Sequence, residues 1–331
     1  MEPGGPRPPG SLPSGPHPTI GPNTVGMPRW PGPLLITGGA LLATGALVAG
    51  SLALSGSGQV DRSILAPLAL IGAFAFVAGL VYSATRQIRV RSFLPPERYR
   101  GPSVLILLSL VLVLTSVANA PFGADAAALL FGDGELTLLG ATVILVSMGL
   151  ALLLVSWLFV HRPRALAGLP SLPGPHPAAA IRAGVGWGVL AWLGSTLVLI
   201  AVVWLLERIG QPPEPEAAER AIALLDPWLV VLAVVILAPI AEEIFFRGVV
   251  FNAWLREGGR HWAFGGSSAL FAVIHLSLVS LLPIFLLGLA LAWVYQRTGN
   301  LLAPIAMHAT VNGISVAFAL LVRFDIVRLP V

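Results

Sequence analysis

The chain has no cysteine and no lysine, and only 10% of its 331 residues are charged. Without cysteine there are no disulfides, no thiolate metal sites and no cysteine nucleophile. Charge this sparse, against about a quarter of the residues in an average soluble domain, excludes an ordinary water-soluble globule. What replaces charge is a 56% hydrophobic composition gathered into runs of about 17 to 25 residues, long enough to cross a hydrocarbon core of about 30 Å as an α-helix. All 19 basic residues are arginine, and most sit in short loops between those runs. Membrane topology accounts for them there, so the net charge of +4 implies no nucleic-acid partner. With the abundance of Ala, Gly and Pro, the arginine usage fits a GC-rich bacterial genome.

Residues 1–33 are rich in Pro and Gly and poor in aliphatic side chains, which predicts a disordered cytoplasmic tail. They carry no signal-peptide pattern, so the apolar run that follows reads as an uncleaved anchor. Nine spans are expected, at about 34–55, 64–85, 103–120, 137–160, 183–206, 227–251, 262–278, 281–297 and 301–322. The fold class is therefore all-α, a polytopic transmembrane bundle of eight or nine helices. Arg86, Arg89, Arg91, Arg98 and Arg100 follow the second span, and Arg162, Arg164 and Arg182 follow the fourth, which places both loops inside. The loops with Asp125, Asp133 and Glu135, and with Glu214, Glu216, Glu219 and Asp226, alternate to the outside. Arg256, Arg260 and Arg297 continue the alternation and put the amino terminus in the cytoplasm of a bacterial plasma membrane. Arg323 and Arg328 beyond the last span run against it, and eight helices with one re-entrant segment is the other count. The third span is interrupted by Asn119, Pro121 and Gly123.

An ionisable group in mid-bilayer costs about 2.5 to 3.5 kcal/mol on insertion scales, so each one needs a reason. Glu242, Glu243, His275 and His308 lie inside apolar runs, with Arg247 and Asn312 beside them. On a helix Glu243 and Arg247 are four residues apart and share a face as an ion pair, whereas Glu242 is turned about 100° away and stays free. Pro239 removes one rung of the helix ladder, which frees the Val235 carbonyl and allows a kink. His275 is expected inside the seventh span, after the small residues Gly265, Gly266, Ser267 and Ser268 that allow helices to approach closely. His308 and Asn312 share a face of the last span and can offer two donors to one point. The glutamates alone also fit a helix lock, and a lone histidine a strut. Three helices each carrying such groups fit one shared polar cavity better.

The three motifs, Glu242-Glu243-x-x-x-Arg247, Phe271-x-x-x-His275 and His308-x-x-x-Asn312, resemble in order those of the CPBP family of intramembrane proteases. That family includes the type II CAAX prenyl proteases and bacteriocin-processing or self-immunity proteins. The resemblance covers residues 222–322, a protease core, and leaves 34–206 as a variable transmembrane region. It implies that Glu242 activates a water with help from His275, that His308 and Asn312 stabilise the oxyanion, and that Glu243 and Arg247 hold the helix. It implies a peptide or membrane-protein substrate and no bound metal. One carboxylate and two histidines also match a catalytic zinc site, with Glu242, His275 and His308 as ligands, but the His-Glu-x-x-His helix of zincins is missing. A proton- or ion-coupled transporter and a proteolytically silent scaffold or immunity protein are the competing functions. The first lacks the paired Gly- or Pro-broken spans of inverted repeats.

Overall fold

The computed structural model describes residues 26–54, 62–125, 137–166, 173–174, 176–213 and 217–327. Most of the tail, with Asp133, Glu135, Glu214, Glu216 and Arg328, lies outside them. Every regular element among the described residues is helical. In chain order they are α1 (Pro31–Leu54), α2 (Arg62–Arg91), α3 (Val104–Asn119), α4 (Leu138–His161), α5 (Pro177–Arg208), α6 (Ala217–Leu224), α7 (Pro227–Glu257), α8 (Trp262–Val273), α9 (Leu281–Thr298) and α10 (Leu302–Arg323). Seven helices are long and apolar enough to cross a membrane: α2 from Pro67 on, α3 with its extension to Asp125, α4, α5, α7, α9 and α10. The 24-residue apolar α1 packs along α2.

One expectation changes here. The run 262–278 does not form one span: a five-residue π turn and a seven-residue α-helix end at Val273. At ~1.5 Å per residue α8 is about 18 Å long, short of a crossing. The third span keeps its expected bounds: the α-helix Val104–Asn119 gives way to a 3-10 turn at Ala120–Phe122, where the interruption was expected.

Large apolar side chains such as Leu41, Leu70, Phe74 and Leu197 cover the outside, which is stable only where the solvent is lipid. Without a hydrophobic force between helices, close packing holds them together, and it needs small residues at the contacts. Gly39 of α1 and Gly72 of α2 let the two backbones touch, because a Cβ at either would press into the other helix's main chain. Gly184 and Gly188 do the same for α5 against α10. A Cβ on Gly188 would stand 2.7 Å from Thr310 Cβ and 2.9 Å from the Met307 carbonyl. Gly188→Leu is expected to cost about 1 to 3 kcal/mol by overpacking, measured by thermal unfolding in detergent. Gly194→Leu on the same helix, where nothing lies within 4 Å, should cost little.

Polar contacts order the two ends of the bundle. Arg91 pairs with Glu257 at 2.8 Å, Arg98 donates to the Arg256 carbonyl at 3.3 Å, and the Arg100 N–H donates to the Ala165 carbonyl at 2.9 Å. The loops after α2, α4 and α7 thus meet at one end. Tyr99 is buried in this knot and donates to the Pro102 carbonyl at 2.6 Å; burial pushes its hydroxyl well above the ordinary range, so it stays a donor. At the far end of α7, Arg323 donates to the carbonyls of Ile222, at 2.8 Å, and Leu225. Arg323 therefore belongs with the connection between α5 and α7, and caps carbonyls there.

Candidate functional site

α7 runs through the centre of the molecule, with Phe245, Phe246, Val249 and Val250 fully buried. Its ladder is widened twice, at Val231–Leu237 and at Ile244–Phe251, and the regular turn between them, Ala238–Glu243, carries both glutamates. Such π segments recur at functional sites because they release backbone groups. In the first, the Ala238 N–H reaches the Ala233 carbonyl five residues back. The next rung would join residue 239 to Val234, but residue 239 is proline and has no N–H. The Asn312 side-chain amide donates to the Val234 carbonyl at 2.9 Å and fills the gap. The carbonyl freed by Pro239 is thus that of Val234, one residue earlier than a regular α-helix would give. Asn252 serves the second widening, donating to the Arg247 carbonyl at 2.7 Å and to the Tyr295 hydroxyl at 2.8 Å.

Glu243 and Arg247 form the expected ion pair, with Nη1 to Oε1 at 2.8 Å and both side chains sealed from the surface. Arg247 Nη2 also donates to the Gly288 carbonyl of α9 at 3.0 Å. Gly288 admits this contact because α8 lies close: a Cβ there would be 3.0 Å from Ser268 Cβ. The same Glu243 oxygen takes a second bond, from His308 Nδ1 at 3.0 Å. His308 Nε2 faces the other glutamate, 4.0 Å from Glu242 Oε2. Glu242 keeps 14% of its side chain exposed, yet its Oε2 is buried without a hydrogen-bond partner. Both bonds to Glu243 fall on Oε1, and its Oε2 is also buried without a hydrogen-bond partner; one carboxylate is paired and sealed, and the adjacent one is unpaired and partly exposed.

Phe271 is the hub beneath them. The Arg247 guanidinium lies 4.6 Å from its ring centre, and its ring meets those of Phe246, His308 and His275 edge-on at 5.1, 5.7 and 4.9 Å. His275 departs from expectation: it sits in the turn just past the end of α8, exposed, with Nδ1 2.7 Å from the Phe271 carbonyl. Glu242, Glu243, Arg247 and His308 are thus brought into one cluster, and His275 joins it through Phe271. Asn312 and His308 share a face as expected, but Asn312 is committed to Val234 and His308 to Glu243. The carbonyls of Gly288 and Val234 were not legible; a glycine within an apolar span is the one signal that hinted at the first.

The alternative zinc triad does not fit this arrangement. Among the described residues no three His, Asp or Glu side chains are grouped closely enough to hold an ion.

Asn312→Ala should cost about 1 to 3 kcal/mol by stranding the Val234 carbonyl. In a Pro239→Ala background, where residue 239 regains its N–H, the loss should shrink. Equal losses by thermal unfolding in both backgrounds would contradict the rung-filling role.

An all-helical, multi-pass membrane protein with a half-closed carboxylate and imidazole cluster at the heart of its last helices is the class these features define. Within it, residues 224–314 match the family model "Type II CAAX prenyl endopeptidase Rce1-like". That stretch contains all three motifs, so the resemblance read from them holds: residues 224–314 are similar to that family. The chain is also 28% identical over 224 residues to an Escherichia coli protein named "Uncharacterized 24.3 kDa protein", covering 64% of this chain and 96% of that one. It is 31% identical over 120 residues to the Bacillus subtilis "Putative membrane peptidase YdiL", 36% of this chain and 47% of the relative. A third relative, the "UPF0177 protein YxdF" of Lactococcus lactis, is 33% identical over 78 residues, 23% and 42% of the two chains. The chain thus spans nearly all of the first relative and under half of the other two. No solved structure gives a significant match. The family match and the named peptidase relative support a CAAX-type membrane protease.

Proposed function

We infer that the chain is an intramembrane endopeptidase in which Glu242 activates a water against a peptide bond of a membrane-embedded or membrane-associated substrate. The observation that carries this reading is the division between neighbours: Glu243 is sealed from the surface and paired through Oε1 with both Arg247 and His308, while Glu242 keeps 14% of its side chain exposed and stands 4.0 Å from His308 Nε2. Glu242 takes one proton from water as the hydroxyl oxygen bonds to the scissile carbonyl carbon. The carbonyl π electrons move onto oxygen, and the protonated Glu242 then delivers that proton to the amide nitrogen as the C–N bond breaks. Water plus peptide gives acid plus amine, and Glu242 ends as it began.

The oxyanion needs donors in a water-poor site. His308 fills this role when both ring nitrogens carry protons, Nδ1–H held by Glu243 and Nε2–H pointing toward the Glu242 side. Two carboxylates are then balanced by Arg247 and the imidazolium. Asn312 has a second amide proton beyond the one given to Val234, and His275, exposed in the turn just past α8, is the group that approaches the water from outside. The family's prenyl endopeptidase description suggests the reporter: a farnesylated peptide ending in a CAAX sequence. The chain in lipid vesicles is expected to cut it and to keep its activity through prolonged treatment with a strong zinc chelator. Activity lost to the chelator and restored by zinc would contradict the water-activation scheme and recast Glu242, His275 and His308 as ligands.

A further inference from the structure

We propose that the groove between α5 and α9 is a binding site for one anionic phospholipid, with Arg182 and Arg297 holding its phosphate and an apolar stripe above them taking its acyl chains. The proposal goes beyond the peptidase reading and does not depend on it.

α9 finishes where α7 finishes: the Asn252 amide donates to the Tyr295 hydroxyl at 2.8 Å, and the rings of Phe251 and Tyr295 meet at 5.6 Å. α5 starts at the same end, since a Cβ on Gly184 would press into the Ala303 carbonyl in the first turn of α10. Further in, Trp187 of α5 and Trp293 of α9 meet edge-on with ring centres 4.8 Å apart. Toward the helix ends from that contact, Arg182 is five residues from Trp187 and Arg297 four from Trp293. At ~1.5 Å per residue the two arginines stand about 6 to 8 Å below the ring pair, level with each other.

Both arginines are exposed, and among the described residues neither meets a carboxylate. Glu97 and Glu257 are the described acids at this end, and Glu257 is taken by Arg91 at 2.8 Å. The Arg297 guanidinium is held 5.5 Å from the Trp293 ring centre, so it is placed before any anion arrives and loses little freedom on binding one. Two planar forks at the rim of the hydrocarbon match a phosphate, which accepts from several N–H groups at once. What lies above them selects a lipid over a soluble anion. Arg182, Gly186 and Leu190 follow at four-residue spacing along one face of α5, and a Cβ on Gly186 would meet nothing within 4 Å. Leu286 and Trp293 share a face of α9, and Leu190 and Leu286 are both exposed. The bare backbone at Gly186 leaves room for a chain, and tryptophan rings sit by preference where headgroups give way to acyl chains. Basic pockets between spans attract anionic headgroups on the same physical grounds.

The test is native mass spectrometry of the full chain in detergent, titrated with dioleoyl phosphatidylglycerol or with dioleoyl phosphatidylcholine. The wild type should retain one phosphatidylglycerol far more tightly than any phosphatidylcholine. Each basic residue near a charged headgroup contributes about fivefold in affinity, so Arg182→Gln with Arg297→Gln should weaken this binding about 30-fold. Arg89→Gln with Arg162→Gln removes the same charge from exposed positions at the same end and should leave it unchanged. Melting temperatures check that both double variants are folded, and the comparison of the two lipids on the wild type stands whether or not they are. Equal losses in the two double variants, no loss in the first, or equal retention of the two lipids by the wild type would overturn the site. Displacement of the lipid by millimolar sn-glycerol 3-phosphate would mark a site for a soluble phosphate and overturn the lipid assignment.

Discussion

Glu242→Gln is expected to leave a folded protein that cleaves about 10²- to 10⁴-fold more slowly, the range general-base catalysis supplies. The substitution keeps the shape of the side chain and removes the oxygen that accepts a proton. It breaks no strong contact, since the nearest polar partner of Glu242 Oε2 is His308 Nε2 at 4.0 Å. Melting should therefore be unchanged while cleavage fails. Adding His308→Ala should not multiply the loss, because the carboxylate and the imidazole act on one transition state and a site stripped of either has little left to lose. Single-turnover rates in vesicles, normalised to folded protein, provide the measurement.

The opposite pattern is expected one residue along. Removing either partner of the Glu243 and Arg247 pair should destabilise the protein by about 3 to 5 kcal/mol, because a charge stays behind in a sealed interior. Glu243→Ala should be the worse of the two. It strands Arg247 and also takes the acceptor from His308 Nδ1, whereas Arg247→Ala leaves Glu243 still bonded to His308. Glu243→Met with Arg247→Leu should be milder than either single charge deletion, since apolar side chains can replace a buried pair at little cost. A double-mutant cycle reads the coupling directly, and additive losses would show that the two side chains do not interact.

The contrast between these neighbours was legible in the sequence because it rests on a local rule. Four residues bring Glu243 onto Arg247, and one residue turns Glu242 away. The contact of His308 with Glu243 spans 65 residues of chain, and no local periodicity reports which helices will meet. Asn312 illustrates a different limit. Its spacing from His308 was read as convergence on one point, but the widening of α7 moved the free carbonyl to Val234 and drew the amide to it; a π turn leaves no mark in the residues that form it. The run 262–278 read as one span because Leu276, Leu278 and Val279 are as apolar as the helix before them. The end of α8 at Val273 leaves one trace in the sequence, Pro283, a residue suited to the first turn of a helix and thus to the start of α9. The long helices, and the meeting of the arginine-bearing loops after α2, α4 and α7 at one end, followed from length and arginine placement, which depend on the bilayer and not on partners.

The most direct test of the account is the paired comparison of Glu242→Gln and Glu243→Gln in vesicles, with unfolding temperature and cleavage per folded molecule measured on the same preparations. The account predicts that Glu242→Gln keeps the wild-type melting temperature and loses cleavage by orders of magnitude, whereas Glu243→Gln loses stability first and keeps far more activity in the molecules that remain folded. Full cleavage by Glu242→Gln, or the same two outcomes with the residues exchanged, would contradict it.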